Sequence, residues 1–244
     1  MDNIESSKSS ELNVLLDKYT PYLNEIRRRI IFTVCLFVAA MILGFVFYEK
    51  IIKFLIEILN LKGINIVFTS PFQFVNLAIS CGIATGLMFV FPLLIYQILS
   101  FLRPALKRKE LKIIVRLLPF SLILFIAGFS FGVMVMKWQI QLFLSKSVSL
   151  GIGNVLDISH LIATVLMVAV FMGVAFEFPI ILLLLTRIGL IKHNDLRKQR
   201  LWVYFGSLIF AILLPIDSIL ADILLTLPII ILFELTLLSN RILK

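Results

Sequence analysis

Three carboxylates stand where a carboxylate is either costly or outnumbered by cations. Glu177 falls in Phe176-Glu177-Phe178-Pro179, inside a long apolar run. Glu110 closes the basic stretch Phe101-Leu102-Arg103-Pro104-Ala105-Leu106-Lys107-Arg108-Lys109-Glu110, and Glu25 precedes three arginines in Tyr22-Leu23-Asn24-Glu25-Ile26-Arg27-Arg28-Arg29. A carboxylate at bilayer depth costs about 2.5–3.5 kcal/mol on insertion scales, so Glu177 reads as a functional group, either a polar contact for a partner helix or the lining of a water-filled concavity. The plainer alternative is a glutamate that snorkels or is neutralised, with Pro179 doing no more than kinking its helix. The arginines after Glu25 also have a plain use, as an anchor at a membrane surface.

No other arrangement of residues offers catalysis. The patterns GxxxxGK[ST], HExxH and GxSxG are absent, and the two histidines, His160 and His193, belong to no cluster. Cys35 and Cys81 lie in apolar runs without metal-ligand spacing and read as small buried hydrophobes. These observations point away from an enzyme, a metal site and a cofactor. Without a phosphate loop the chain itself has no means of using ATP. Work must then come from a partner or from the membrane potential, about 2.3 kcal/mol per charge per 100 mV.

The elements that hold these carboxylates are set by hydropathy. The 244 residues are 61% hydrophobic and 15% charged, with a mean hydropathy of +1.08. That is too little polar surface to coat a water-soluble globule, and the chain is expected to be an all-α integral membrane protein. Residues 1–20 form a polar tail without the apolar core and cleavage site of a removable leader, and this tail is expected to be mobile. Residues 21–244 form one transmembrane domain with six spans, near 30–47, 74–102, 117–136, 161–186, 201–214 and 223–238.

The formal charge of +9 is sorted by side rather than directed at nucleic acid. With six spans, 18 of the 23 Lys and Arg fall in the two tails and the loops at 103–116 and 187–200, against 5 in the two longer opposite loops. Positive charge inside makes both termini cytoplasmic.

Local signals refine this picture. Ile51 to Leu61 is amphipathic and is expected as a short helix along the outer surface. Asp195 reads as the N-cap opening the fifth span, and Pro215-Ile216-Asp217-Ser218 as a helix stop followed by a new cap. Glu234 sits near the inner end of the last span, where snorkelling and a specific use are both open. The last two spans, at 14 and 16 residues, rise only about 21–24 Å. That is short of the roughly 30 Å hydrocarbon core, so a thinned bilayer is expected beside them.

In order and spacing these stretches resemble the TatC family, the C subunit of the twin-arginine translocase, over essentially the whole chain. Leu23-Asn24-Glu25-Ile26-Arg27-Arg28-Arg29 is similar to the family's LxELRxR opening of its first helix, and Phe101 to Leu106 with Glu110 is similar to its FxxPxLxxxE loop. Ser70-Pro71-Phe72, Phe176-Glu177-Phe178-Pro179 and Asp195-Leu196-Arg197-Lys198-Gln199-Arg200 resemble three further signatures. The chain departs from the family at Tyr22, where a histidine is common, and at Arg103, an added cation. It also has Leu214 and Ala221 where many members carry Thr and Gln around Asp217, with Asp222 as a displaced polar group.

The resemblance implies a bowl-shaped bundle that receives Arg-Arg signal peptides and exports folded proteins using the proton motive force. Its implied partners are TatA- and TatB-type single-span subunits, other copies of itself and the lipid bilayer. Glu25 and Glu110 would contact the signal arginines, Phe101 and Pro104 would shape the loop, and Arg27 would share the patch. Glu177 and Asp217 would be intramembrane polar contacts, with Glu177 inside the concave face. A bacterial cytoplasmic membrane is the default home; plastid thylakoid and archaeal membranes fit the same physics.

Two other classes compete. An ion-coupled small-solute carrier would titrate Glu177, but the spans offer few further polar groups, among them Ser80, Thr85, Gln97, Ser121, Ser130 and Thr164. A polytopic membrane enzyme lacks a catalytic cluster.

Overall fold

An apolar run with no water to bond its backbone must close its own hydrogen bonds, and each long run of this chain does so as a helix. In the computed structural model the order is α1 (Asp2–Val46), α2 (Tyr48–Ile58), β1 (Asn65–Val67), α3 (Gln73–Leu102), α4 (Arg108–Ser149), β2 (Val155–Asp157), α5 (Ile158–Arg187), α6 (His193–Lys198), α7 (Arg200–Ile212) and α8 (Ile219–Ile242). The structure describes residues 2–61, 65–67, 70–102, 108–151, 155–187, 189, 191, 193–216 and 218–242, with backbone alone for 2–19, 21–22, 65–66, 99, 101–102, 108–118, 155, 187, 193–194 and 239–242.

Five helices are long and apolar enough to cross a membrane: Leu23–Val46, Gln73–Ile98, Pro119–Ser149, Ile158–Thr186 and Ile219–Leu238. α7 is apolar but shorter.

Several ends differ from the sequence expectation. α1 runs through the polar stretch from Asp2, because no glycine or proline interrupts residues 2–20. α4 continues past Met136 to Ser149, since Lys137 and Lys146 do not break a helix. It stops at Gly151, whose φ of +69° suits a left-handed cap and whose N–H donates to the Val148 carbonyl at 3.0 Å.

α8 begins at Ile219 rather than 223, because Asp222 belongs to its first turn, where a carboxylate suits the helix dipole. Ile219–Leu238, at 20 residues, rises about 30 Å, enough to cross the hydrocarbon core. The expected shortfall therefore holds for α7 alone. Asp195 does not cap α7 either: it lies in the first turn of α6, and Gln199 precedes α7 without a side-chain capping bond. Cys81 is buried as expected, but Cys35 is exposed on α1.

α2 ends in a Schellman turn: Asn60, at φ +56°, donates to the Glu57 carbonyl at 3.2 Å, and the Leu61 N–H donates to the Ile56 carbonyl at 3.1 Å. Its apolar face, with Leu55 buried, packs on the main core.

α5 is the central helix. Ile162, Val165, Val168, Ala169 and Met172 are fully buried in a core shared with α2, α3, α4, α7 and α8. Lipid tails are as apolar as these side chains, so close packing rather than water exclusion holds membrane helices together, and small residues permit it. On α4, Gly128 and Gly132 stand one turn apart against α5. A Cβ on Gly128 would lie 2.5 Å from the Met172 carbonyl, and one on Gly132 would lie 2.8 Å from the Ala169 Cα.

Polar ties hold the outer ends of α3 and α5. Strands β1 and β2 pair in parallel, Asn65 with Val155 through Val67 with Asp157. Asp157 then caps α5: its Oδ1 accepts the N–H groups of Ser159 at 2.9 Å and His160 at 3.2 Å, while its Oδ2 accepts Gln73 Nε2 at 2.7 Å.

α7 and α8 are bound to each other by a different cluster. Arg200 Nη2 donates to Glu234 Oε2 at 2.9 Å, the Tyr204 hydroxyl donates to Glu234 Oε1, and Tyr204 meets Phe233 edge-on at 6.3 Å. Among the described residues, the side-chain hydrogen bonds of α7 and α8 all stay within this pair. Toward the rest of the fold the pair is apolar, and the α4–α8 seam leaves a groove of about 500 Å³ lined by Phe131, Met134, Trp138, Leu220, Ile223 and Leu227.

Candidate functional site

The densest polar network among the described residues joins α1 to the C-terminal end of α3. Glu25 and Arg29 are four apart on α1, so they share a face, and the acidic residue comes first, the favourable order for such a pair. Arg29 donates to Glu25 Oε1 through Nη2 at 2.6 Å and through Nε at 3.1 Å. The same guanidinium reaches across to α3, where Nη1 donates to the Gln97 carbonyl at 2.9 Å and Nη2 to Ser100 Oγ at 3.3 Å. Helix C-terminal carbonyls carry partial negative charge and lack intrahelical donors, so a cation is well placed there. Thr33 completes the seam by donating to Gln97 Oε1 at 2.7 Å.

Two concavities flank this network. One, of about 380 Å³, is lined by Glu25, Arg28, Arg29, Phe32 and Gln97. The other, of about 510 Å³, runs along the α1–α3 seam between Ile26, Ile30, Val34, Leu94 and Ile98, with Arg29 at its polar end. An exposed carboxylate beside an apolar channel can take a cationic group and the aliphatic chain that carries it.

Glu25 is half exposed, its Oε1 taken by Arg29 and its Oε2 without a protein partner among the described residues. Arg27 is exposed and makes no ion pair among them. Phe101 lies in the last turn of α3 and Glu110 in the first turn of α4, both as backbone only, so the ends that carry them are described but their side chains are not. Pro104 and Asp217 lie outside the described residues.

Glu177 is fully buried on α5, where the Ser121 hydroxyl of α4 donates to Oε1 at 2.8 Å. Its Oε2 has no hydrogen-bond partner among the described residues, and neither does the buried Oδ1 of Asp222. No group of three or more His, Cys, Asp or Glu able to hold a metal occurs among the described residues.

Sequence reasoning found Glu25 and missed its setting. The spacing of Glu25 to Arg29 was available as a signal, and Gln97 is a lone amide near the end of an uncharged run. The bond from Arg29 to a backbone carbonyl on α3 has no sequence signature. The Arg200–Tyr204–Glu234 cluster was missed for the same reason, since its partners come from two different helices.

Comparison with known proteins bears on the whole chain. The family model for the Sec-independent protein translocase protein TatC matches residues 21–228. The chain is similar to TatCy of Bacillus subtilis, with 30% identity over 227 residues that cover 90% of this chain and 87% of that protein. TatC of Listeria innocua is 30% identical over 221 residues, covering 89% and 88%. A crystal structure of the twin-arginine translocase receptor TatC in DDM superposes with a TM-score of 0.79 at 26% identity, covering 89% of this chain and 98% of that one. With the family matched from the start of the Glu25 segment to the middle of α8, and with the fold matched over the same span, the chain belongs to the TatC family of integral membrane, non-enzymatic protein-transport subunits.

Proposed function

We propose that the chain is the signal-peptide receptor and core subunit of a twin-arginine translocase, carrying folded proteins across the membrane with the proton motive force. The observation that carries this reading is Glu25: an exposed carboxylate that already accepts a guanidinium through two N–H groups and keeps a second oxygen open beside an apolar channel. A signal peptide offers those two features together, an arginine pair and the apolar segment beyond it.

In this reading Glu25 and Glu110 take the arginines, Phe101 and Pro104 shape the loop between α3 and α4, and Arg27 belongs to the same patch. Glu177 and Asp217 serve as intramembrane contacts for TatA- and TatB-type single-span subunits, and further copies of the chain complete the assembly. α7 crosses with the five longer helices, making six spans in a bowl with both termini cytoplasmic, which the distribution of Lys and Arg supports. The bacterial cytoplasmic membrane is the proposed home, in keeping with the bacterial relatives. An ion-coupled carrier working through Glu177 has less support, because among the described residues only the Ser121 hydroxyl reaches that carboxylate.

The test is peptide affinity for the full chain in detergent. A guanidinium fork matches a carboxylate through parallel hydrogen bonds where an ammonium is a point charge, so an Arg-Arg signal peptide should bind more tightly than its Lys-Lys counterpart. Glu110→Ala should weaken binding and Glu110→Lys abolish it, each by more than the same change at Glu49. Parent-like binding by Glu110→Lys overturns the receptor assignment of this loop.

A further inference from the structure

Arg29 does what an incoming signal arginine would have to do: it places a guanidinium on Glu25, through Nη2 at 2.6 Å and Nε at 3.1 Å. Unlike an ordinary surface pair, it is also moored elsewhere. Nη1 holds the Gln97 carbonyl at 2.9 Å and Nη2 approaches Ser100 Oγ at 3.3 Å, so a guanidinium driven off the carboxylate keeps two partners on α3. Its displacement therefore leaves no stranded cation, which would otherwise make the exchange unfavourable. The open Oε2 of Glu25 gives an entering cation a first foothold before Arg29 lets go.

We propose that Arg29 is a specificity-determining residue, an internal arginine that occupies Glu25 until a guanidinium from the cargo peptide displaces it toward Gln97 and Ser100. This rests on the receptor reading of Glu25 and adds a filter to it. A single ammonium cannot reproduce the two N–H contacts it must replace, whereas a guanidinium can. Arg-Arg is thus favoured by what the peptide must evict as well as by what it binds. Exposed i,i+4 pairs are weak, so the filter is modest, about two- to five-fold in relative affinity.

The experiment compares Arg29→Gln with Arg28→Gln, which removes the same charge from the same concavity but not from Glu25. Affinities of the full chain for matched Arg-Arg and Lys-Lys signal peptides are measured on each. Arg29→Gln should raise Lys-Lys binding more than Arg-Arg binding, cutting the preference about two- to five-fold. Arg28→Gln should shift both peptides alike. Equal shifts for both variants reduce Arg29 to general Coulomb repulsion and overturn the proposal; loss of Arg-Arg binding in Arg29→Gln makes it a strut and also overturns it. Should Arg29→Gln fail to fold, Arg29→Lys retains a cation near the Gln97 carbonyl, and an unchanged preference in that variant overturns the role of the fork. Glu25→Ala separates the two levels: if it leaves Arg-Arg binding intact the receptor reading of Glu25 itself fails, while weakened binding with an unchanged Arg29→Gln preference sinks the filter alone.

Discussion

Adding one methyl group at Gly128 should disturb the buried carboxylate more than the small change in volume suggests. The new Cβ would stand 2.5 Å from the Met172 carbonyl and 2.7 Å from Phe176 Cγ, and ordinary contact begins at 3.4 Å. The nearest obstacle is backbone, so relief requires α4 and α5 to part by about 0.9 Å. Along the Ser121–Glu177 bond, 2.8 Å in the parent, that movement gives about 3.7 Å, beyond hydrogen-bond reach. Gly206→Ala on α7 is the reference, because no atom lies within 4 Å of its Cβ. Both variants gain the same helix propensity, so their difference isolates the steric cost, about 1–3 kcal/mol. At 2–4 °C per kcal/mol, Gly128→Ala should melt roughly 2–12 °C below Gly206→Ala in detergent. Export of a folded reporter should fall in the same variant. Equal melting temperatures for the two would refute the close approach of α4 and α5 on which the reasoning depends.

Asp157→Ala should cost about 1 kcal/mol through the lost α5 cap and raise amide exchange at Ser159 and His160, with α8 unaffected; unchanged exchange at those two amides would count against the cap. Glu234→Gln, which keeps an acceptor for Tyr204 and loses only a partly exposed ion pair, should lower stability by less than about 1 kcal/mol. Glu234→Leu, which strands Tyr204 and Arg200, should cost about 1–3 kcal/mol by thermal unfolding, and equal losses would show that the hydrogen bonds carry nothing. Four leucines inserted into α7 should bring it from about 20 Å to about 26 Å and restore bulk lipid thickness beside it, as read by spin-labelled lipids. The same insertion in α8, already 20 apolar residues long, should move the profile no closer to bulk.

Hydropathy located the long helices because the bilayer imposes it: α3 was expected at 74–102 and spans Gln73–Leu102. Charge was a poorer guide to where helices stop. Lys137, Lys146 and Asp222 read as boundaries, yet a helix ends only where its backbone turns, as at Gly151, or where capping begins, as at Ser218, whose carbonyl accepts the Asp222 N–H at 3.1 Å. Three-residue strands such as Asn65–Val67 are too short for any periodicity, so the β1–β2 pair was invisible. Glu25 was legible through its motif and Glu177 through its cost in an apolar run. Their partners were not, because Arg29 to Gln97 and Ser121 to Glu177 are separated by 68 and 56 residues and meet only after folding.

The polar ties also divide the molecule mechanically. α3 is pinned at both ends, to α5 by Gln73 and Asp157 and to α1 by Gln97 and Arg29. A rod held that way cannot slide along its axis without breaking directional bonds at one end. α7 and α8 are riveted to each other through Glu234 but only seated on their neighbours, across an apolar seam with a groove in it. Dispersion contacts have no register, so one seating can be exchanged for another at little cost in apolar surroundings. Three helices thus make a frame, and the last two form a leaf that can shift against it without giving up a hydrogen bond.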